Sequence, residues 1–76
     1  MEQFDRITFD PAVMGGRACI RNMRVAVSLV ISLIANGMSS AQVLEAYPYL
    51  EAEDIVQALQ YGAWLAEDRI DILPAV

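Results

Sequence analysis

The 76-residue chain has no histidine and no lysine, and it has a single cysteine. Without histidine, neither imidazole acid–base catalysis nor a histidine metal site is open to it. Without lysine there is no Schiff-base nucleophile and no P-loop lysine to hold a phosphate. The one cysteine, Cys19, allows no internal disulfide and no structural zinc cluster. It stands between Ala18 and Ile20 with only arginines nearby, the setting of a small buried apolar residue rather than a reactive thiol. The paired acids Glu53/Asp54 and Glu67/Asp68 are adjacent in sequence, so on a helix they splay about 100° apart and make a poor acid–base pair. These absences predict a protein that is not an enzyme, with no catalytic residues, no cofactor and no metal.

Positive charge is also scarce. Five arginines face ten acids, giving a net charge of −5 and a pI near 4.3. Non-specific attraction to a phosphate backbone is thereby disfavoured for the molecule as a whole. Long apolar runs are missing as well: Val25 to Ala35 is broken by Ser28 and Ser32 and falls well short of the roughly 20 residues a membrane span needs. The opening residues alternate acids with apolars and lack the basic-then-apolar layout of a signal peptide. The expectation is a cytoplasmic protein with no membrane association.

What the chain does have is apolar content, 57% of its residues against roughly 45–50% in an average globular chain. A chain this short forms one domain and buries only about 60% of the surface exposed when unfolded. The surplus predicts apolar surface for a partner or a second copy, the latter giving a homodimer.

Along the chain, charge and fold propensity change together. Residues 1–27 carry a net charge of +1, and residues 28–76 a net of −6. We read a single domain over 1–76, mainly α with a small N-terminal β segment. Its parts are a β-arm at 1–27, a three-helix helix-turn-helix core at 28–69 and an extended tail at 70–76. In the arm, Ile7 and Phe9 alternate with polar neighbours as in a half-buried strand. Gly15-Gly16 permits a positive-φ turn, and Asn22 a second reversal between two short β-prone runs.

Three helices are predicted after the arm. The first runs from an N-cap at Ser28 over Leu29 to Asn36, closed by Gly37 and enclosed on most sides. Ser39 with Gln42 forms a capping box opening the second, Ser40 to Ala46, which Pro48 ends. The third spans Ala52 to about Asp68. At 100° per residue, Ile55, Leu59, Gly62, Ala63 and Ala66 gather as its core stripe, with Gly62 letting another helix approach. Glu53, Gln57, Gln60, Glu67 and Asp68 surround Trp64 on the opposite side.

Several fragments recur here in a familiar order: Arg6 to Pro11, Gly15 to Val27, Gly37-Met38-Ser39, Tyr47 to Leu50 and Glu53-Asp54-Ile55. Over residues 6 to about 66 the chain resembles the family called domain of unknown function 433. That resemblance implies a homeodomain-like helix-turn-helix behind a β segment. It also implies a role like that of VapB-type antitoxins, which pair with a small PIN-like ribonuclease toxin. The chain departs from the family pattern where Ala18 and Ala26 replace prolines, Asn22-Met23 replaces Gly-Thr, and Glu51 replaces a Ser/Thr cap.

Two candidate surfaces follow. Arg17, Arg21 and Arg24 cluster within an otherwise acidic chain. Their guanidinium forks suit the carboxylate pocket of the toxin that the resemblance implies, or DNA phosphates, or acids of this chain such as Asp5 and Asp10. Tyr61 and Trp64, with Ile70, Ile72 and Leu73 of the tail, form the second candidate, as a partner or dimer contact. The third helix opens on Glu51, Glu53 and Asp54, which phosphates repel, so Gln57 and Gln60 lack the cations that base-reading helices use. The function expected is therefore neutralisation of a PIN-like ribonuclease toxin. The alternative is a homodimeric transcriptional regulator binding operator DNA.

Overall fold

The computed structural model describes residues 4–70. Two short antiparallel strands, β1 (Ile7–Thr8) and β2 (Cys19–Ile20), precede three helices, α1 (Val27–Ala35), α2 (Ser40–Ala46) and α3 (Ala52–Ile70). The chain is mainly α, as expected. Ile7 pairs with Ile20 and Thr8 with Cys19, while Cys19 also bridges Ala26 on its other side.

The two turns of the β segment take positive φ at Gly15, Gly16 and Asn22, as their residues predict, and also at Met14 and Arg21, which the sequence did not indicate. Met14, Gly15 and Gly16 have φ of 50°, 68° and 85° at the first. At the second, Arg21 (φ 43°) and Asn22 (φ 61°) are both left-handed, and Met23 N–H donates to Ile20 O at 2.8 Å. Two successive positive φ values closed by that bond make a type I′ turn, whose twist matches antiparallel strands. Asparagine tolerates this conformation readily; arginine does not, and what holds Arg21 there lies on α3. The β segment is no projecting arm. Ile7, Cys19, Ile20, Val25 and Ala26 are all buried, so it forms one wall of the core.

Helix α1 starts earlier than its serine suggested. Ala26, still extended (φ −70°, ψ 141°), occupies the cap position because it is paired with Cys19. Val27 N–H then donates to Ala18 O at 2.9 Å. The β contacts thus cap α1, and Ser28 is exposed. Its other end is a Schellman motif: Gly37 (φ 103°) donates to Ile34 O and Met38 N–H to Leu33 O, at 3.0 and 3.1 Å.

At α2 the capping box is complete, with Gln42 N–H donating to Ser39 Oγ at 3.1 Å and Ser39 N–H to Gln42 Oε1 at 2.8 Å. Ser39→Ala is expected to cost about 1 kcal/mol, read as a shift of the urea midpoint with unchanged slope.

The core gathers Ile20, Val27, Val30, Val43 and Ile55, each essentially fully buried, and each worth roughly 1.5–3 kcal/mol of transfer free energy. Gly62 lets α3 approach α1: a β-carbon there would lie 2.8 Å from Ile31 Cδ1. The core face of α3 differs from the sequence expectation. Asp54, Ile55, Gln57, Ala58 and Tyr61 are buried, whereas Leu59, Ala63 and Ala66 face outward. The helix is rotated by roughly 100° from the predicted stripe. Buried Asp54 and Gln57 are the reason, because both find partners in the β segment. The helix also continues two residues past Asp68 to Ile70, which the sequence had placed in the tail.

Candidate functional site

Asp54 sits three residues after Glu51 in the first turn of α3, where an acid is favoured by the helix dipole. It reaches back to accept the Glu51 N–H at 2.8 Å, half of a capping box, although Glu51 replaces the hydroxyl residue of the other half. Two arginines converge on the same carboxylate. Arg21 Nε donates to Oδ1 at 3.0 Å and Nη2 to Oδ2 at 2.8 Å, while Arg6 Nη1 donates to Oδ1 at 3.0 Å. Each arginine has a second acceptor: Tyr49 O for Arg21 at 3.0 Å, and Glu51 Oε1 for Arg6 at 2.6 Å.

One turn further along α3, Gln57 Oε1 accepts from Arg6 N–H at 3.0 Å, and its Nε2 donates to Asp5 Oδ1 at 2.7 Å. This network fastens the β segment to the start of α3 and keeps Arg21 in its left-handed turn.

The electrostatics follow from the bonding. Burial pushes the Asp54 carboxyl up, but hydrogen bonds from Arg21, from Glu51 N–H and from Arg6 outweigh it and hold the group below the usual aspartate range. The Arg6 guanidinium is raised by its bonds to Glu51 and Asp54, and that of Arg21 by Asp54. Asp54 accepts four hydrogen bonds and is fully enclosed. Such a carboxylate holds structure together; it has no free lone pair directed at a substrate.

The three arginines singled out in the sequence therefore separate. Arg21 belongs to the ion-pair cluster, with Asp54 rather than Asp5 or Asp10 as its partner. Arg17 and Arg24 are exposed and make no salt bridge among the described residues. Asp10 instead accepts from Ala12 N–H and from Asn22 Nδ2, and those bonds lower its pKa. Arg17 stands on the rim of an open apolar depression of about 200 Å³, lined by Ala18, Val27, Ile31, Tyr61 and Leu65.

The aromatic pair separates in the same way. Tyr61 is buried, with its ring 5.6 Å from Phe4 and 6.0 Å from Trp64. Trp64 remains 39% exposed, so of the two only it presents substantial surface. It walls a shallow groove shared with Phe4, Gln60, Ala63 and Glu67. Ile70 ends α3, and Ile72 and Leu73 lie outside the described residues.

The ion-pair cluster was missed in the sequence. Its signal was the three-residue spacing of Glu51 and Asp54 at a helix start, which marks Asp54 as a group that turns back toward the chain. Among the described residues no group of three or more His, Cys, Asp or Glu side chains is placed to hold a metal. None of the described helices is long and apolar enough to cross a membrane.

The model of the family described as "Protein of unknown function (DUF433)" matches residues 7–62, from β1 to the Gly62 contact. The chain belongs to the DUF433 family. It is 40% identical over 56 residues to "Uncharacterized protein y4eO" of Sinorhizobium fredii, covering 74% of this chain. The match spans only 25% of that relative's length. No solved structure matches the chain.

Proposed function

We propose that this DUF433 chain is an antitoxin-like protein that binds and neutralises a PIN-like ribonuclease. The observation that carries the reading is surface left over after the core is complete. Seven large apolar side chains, among them Leu29, Val56, Leu59 and Trp64, are more than a third exposed on a chain of 76 residues. Val56 and Leu59 sit one turn apart on α3, and it is this contiguous part of the exposed apolar surface that supports an interaction face. Arg17 and Arg24, which have no salt bridge among the described residues, supply guanidinium groups for the carboxylates of a nuclease metal pocket. Trp64 supplies apolar contact. The missing histidine and lysine fit a protein that blocks chemistry rather than performing it.

The alternative, a homodimeric regulator on operator DNA, has less behind it. Two of the five arginines are spent on Asp54, and α3 keeps Glu53 exposed where a base-reading helix needs cations.

The test is co-expression with the product of the neighbouring reading frame, which the proposal expects to be a small PIN-like ribonuclease, followed by affinity capture. The nuclease is expected to co-purify, and Arg17→Glu/Arg24→Glu to weaken capture with melting unchanged. Capture indifferent to the double charge reversal would overturn the arginine mechanism.

A further inference from the structure

The outward face of α3 carries a second apolar stripe. Ala52, Val56, Leu59, Ala63 and Ala66 recur at alternating spacings of four and three and are all exposed. This is the spacing with which one helix packs along another. In an isolated domain that face belongs to water, yet Val56 and Leu59 are 43% and 38% exposed with no cover among the described residues.

The two flanks of the stripe differ. On one side Glu53, Gln60 and Glu67, spaced by sevens, form an exposed acidic and polar edge, with the Trp64 groove immediately beyond it. On the other side Gly62 is closed against Ile31 of α1. A helix lying on the seam is thus bordered by acids along one edge.

We infer that α3 is a docking surface for an amphipathic helix of a partner protein, with an apolar seam and Lys or Arg along the edge facing Glu53 and Glu67. The alanines at 52, 63 and 66 leave room for large apolar side chains from that helix. Charge selects the partner over a second copy of this chain. An antiparallel copy sets Glu53 against the other chain's Glu67, and each copy carries a net charge of −5. Like charges brought together in this way are unfavourable. The inference rests on reading the chain as an interaction protein, but not on which protein it neutralises.

Trp64 is the only tryptophan and reports on the groove by fluorescence. The full chain is titrated with two short tryptophan-free synthetic helices that share a leucine seam, one flanked by lysine and the other by glutamate. The lysine-flanked helix is expected to shift Trp64 emission and to bind at least about tenfold more tightly than the glutamate-flanked one. Leu59→Glu, a substitution at an exposed site, should abolish binding while leaving circular dichroism unchanged. Glu53→Lys/Glu67→Lys should reverse the preference.

Equal affinity for both helices, or lysine-helix binding that survives Leu59→Glu, would overturn the proposal. So would light scattering that shows a dimer dissociated by Leu59→Glu, since a second copy would then fill the seam. Binding that appears only after residues 71–76 are deleted would overturn it too, and would assign the seam to the chain's own tail. None of these readouts involves the ribonuclease, so loss of toxin neutralisation and loss of helix docking are told apart.

Discussion

Asp54→Asn is expected to destabilise the fold by roughly 2–4 kcal/mol, less than for stranding a buried charge, because the Arg6 and Arg21 side chains left behind are partly exposed and can be hydrated. The neutral amide keeps the shape of the side chain but loses the charge on which Arg6 and Arg21 converge. Its NH2 group also turns a donor toward donors. The loss reaches beyond the contact itself, because Arg21 holds a left-handed φ of 43° that no other interaction of its side chain secures as well. Domains of this length hold on the order of 4–11 kcal/mol in total. The variant should therefore melt roughly 10 °C or more below the parent, with amide protection lost first in the β segment. Arg21→Lys, which keeps the charge but not the paired bonds, should fall between the two.

The sign of the pH dependence follows from the same group. Asp54 titrates below its ordinary value when folded, so its contribution is complete above the unfolded aspartate pKa, about 3.9. It is lost as pH falls through the lower folded value. Asp10, also lowered, adds in the same direction. The melting temperature of the parent is expected to stay level from neutral pH to about 5 and to drop below about 4. The drop should be smaller in Asp54→Asn.

Gly62→Leu is expected to cost about 2–3 kcal/mol, at the upper end of the range for overpacking. A β-carbon at Gly62 already reaches to 2.8 Å from Ile31 Cδ1, and the three further carbons of leucine must displace Ile31 further from its place on α1. Gly62→Ala is the informative companion. Its single methyl meets only the movable end of Ile31, and alanine gains about 1 kcal/mol of helix propensity over glycine, so the net change should be near zero. Two chemical-denaturation curves decide the matter. If leucine is tolerated as well as alanine, the close approach of the helices is not what position 62 requires.

Local signals in the sequence were sufficient for the three helices and for the ends that carry a capping motif, but not for the start of α1 or the end of α3. Ser39 with Gln42, Gly37 after Asn36, and small Gly62 each imply one backbone outcome and gave it. The orientation of α3 was not legible by periodicity. The helix has apolar residues on two faces, Ile55-Ala58-Leu65 and Val56-Leu59-Ala63, and hydrophobic spacing fits either.

Polar residues would ordinarily decide between those faces, but here they mislead. Asp54 and Gln57 look like solvent-facing positions until Arg6 and Arg21 arrive from residues distant in the chain to satisfy them. The same blindness affected the site. Three arginines close in sequence read as one patch, while the turn at Arg21-Asn22 sends Arg21 inward to Asp54 and leaves Arg17 and Arg24 outside. The acids at the start of α3 read as a repulsive end, yet Glu51 and Asp54 are neutralised by arginines from within the chain.

The claim that this DUF433 chain acts by binding a ribonuclease is tested most directly by RNA cleavage. The purified product of the neighbouring reading frame, which the proposal expects to be that nuclease, is assayed for RNA cleavage against increasing amounts of the chain, with Arg17→Glu/Arg24→Glu in parallel. Cleavage is expected to fall to background as the chain saturates the nuclease, and to fall only at much higher concentration with the double variant. Cleavage that continues undiminished in a large molar excess of the folded chain would contradict it.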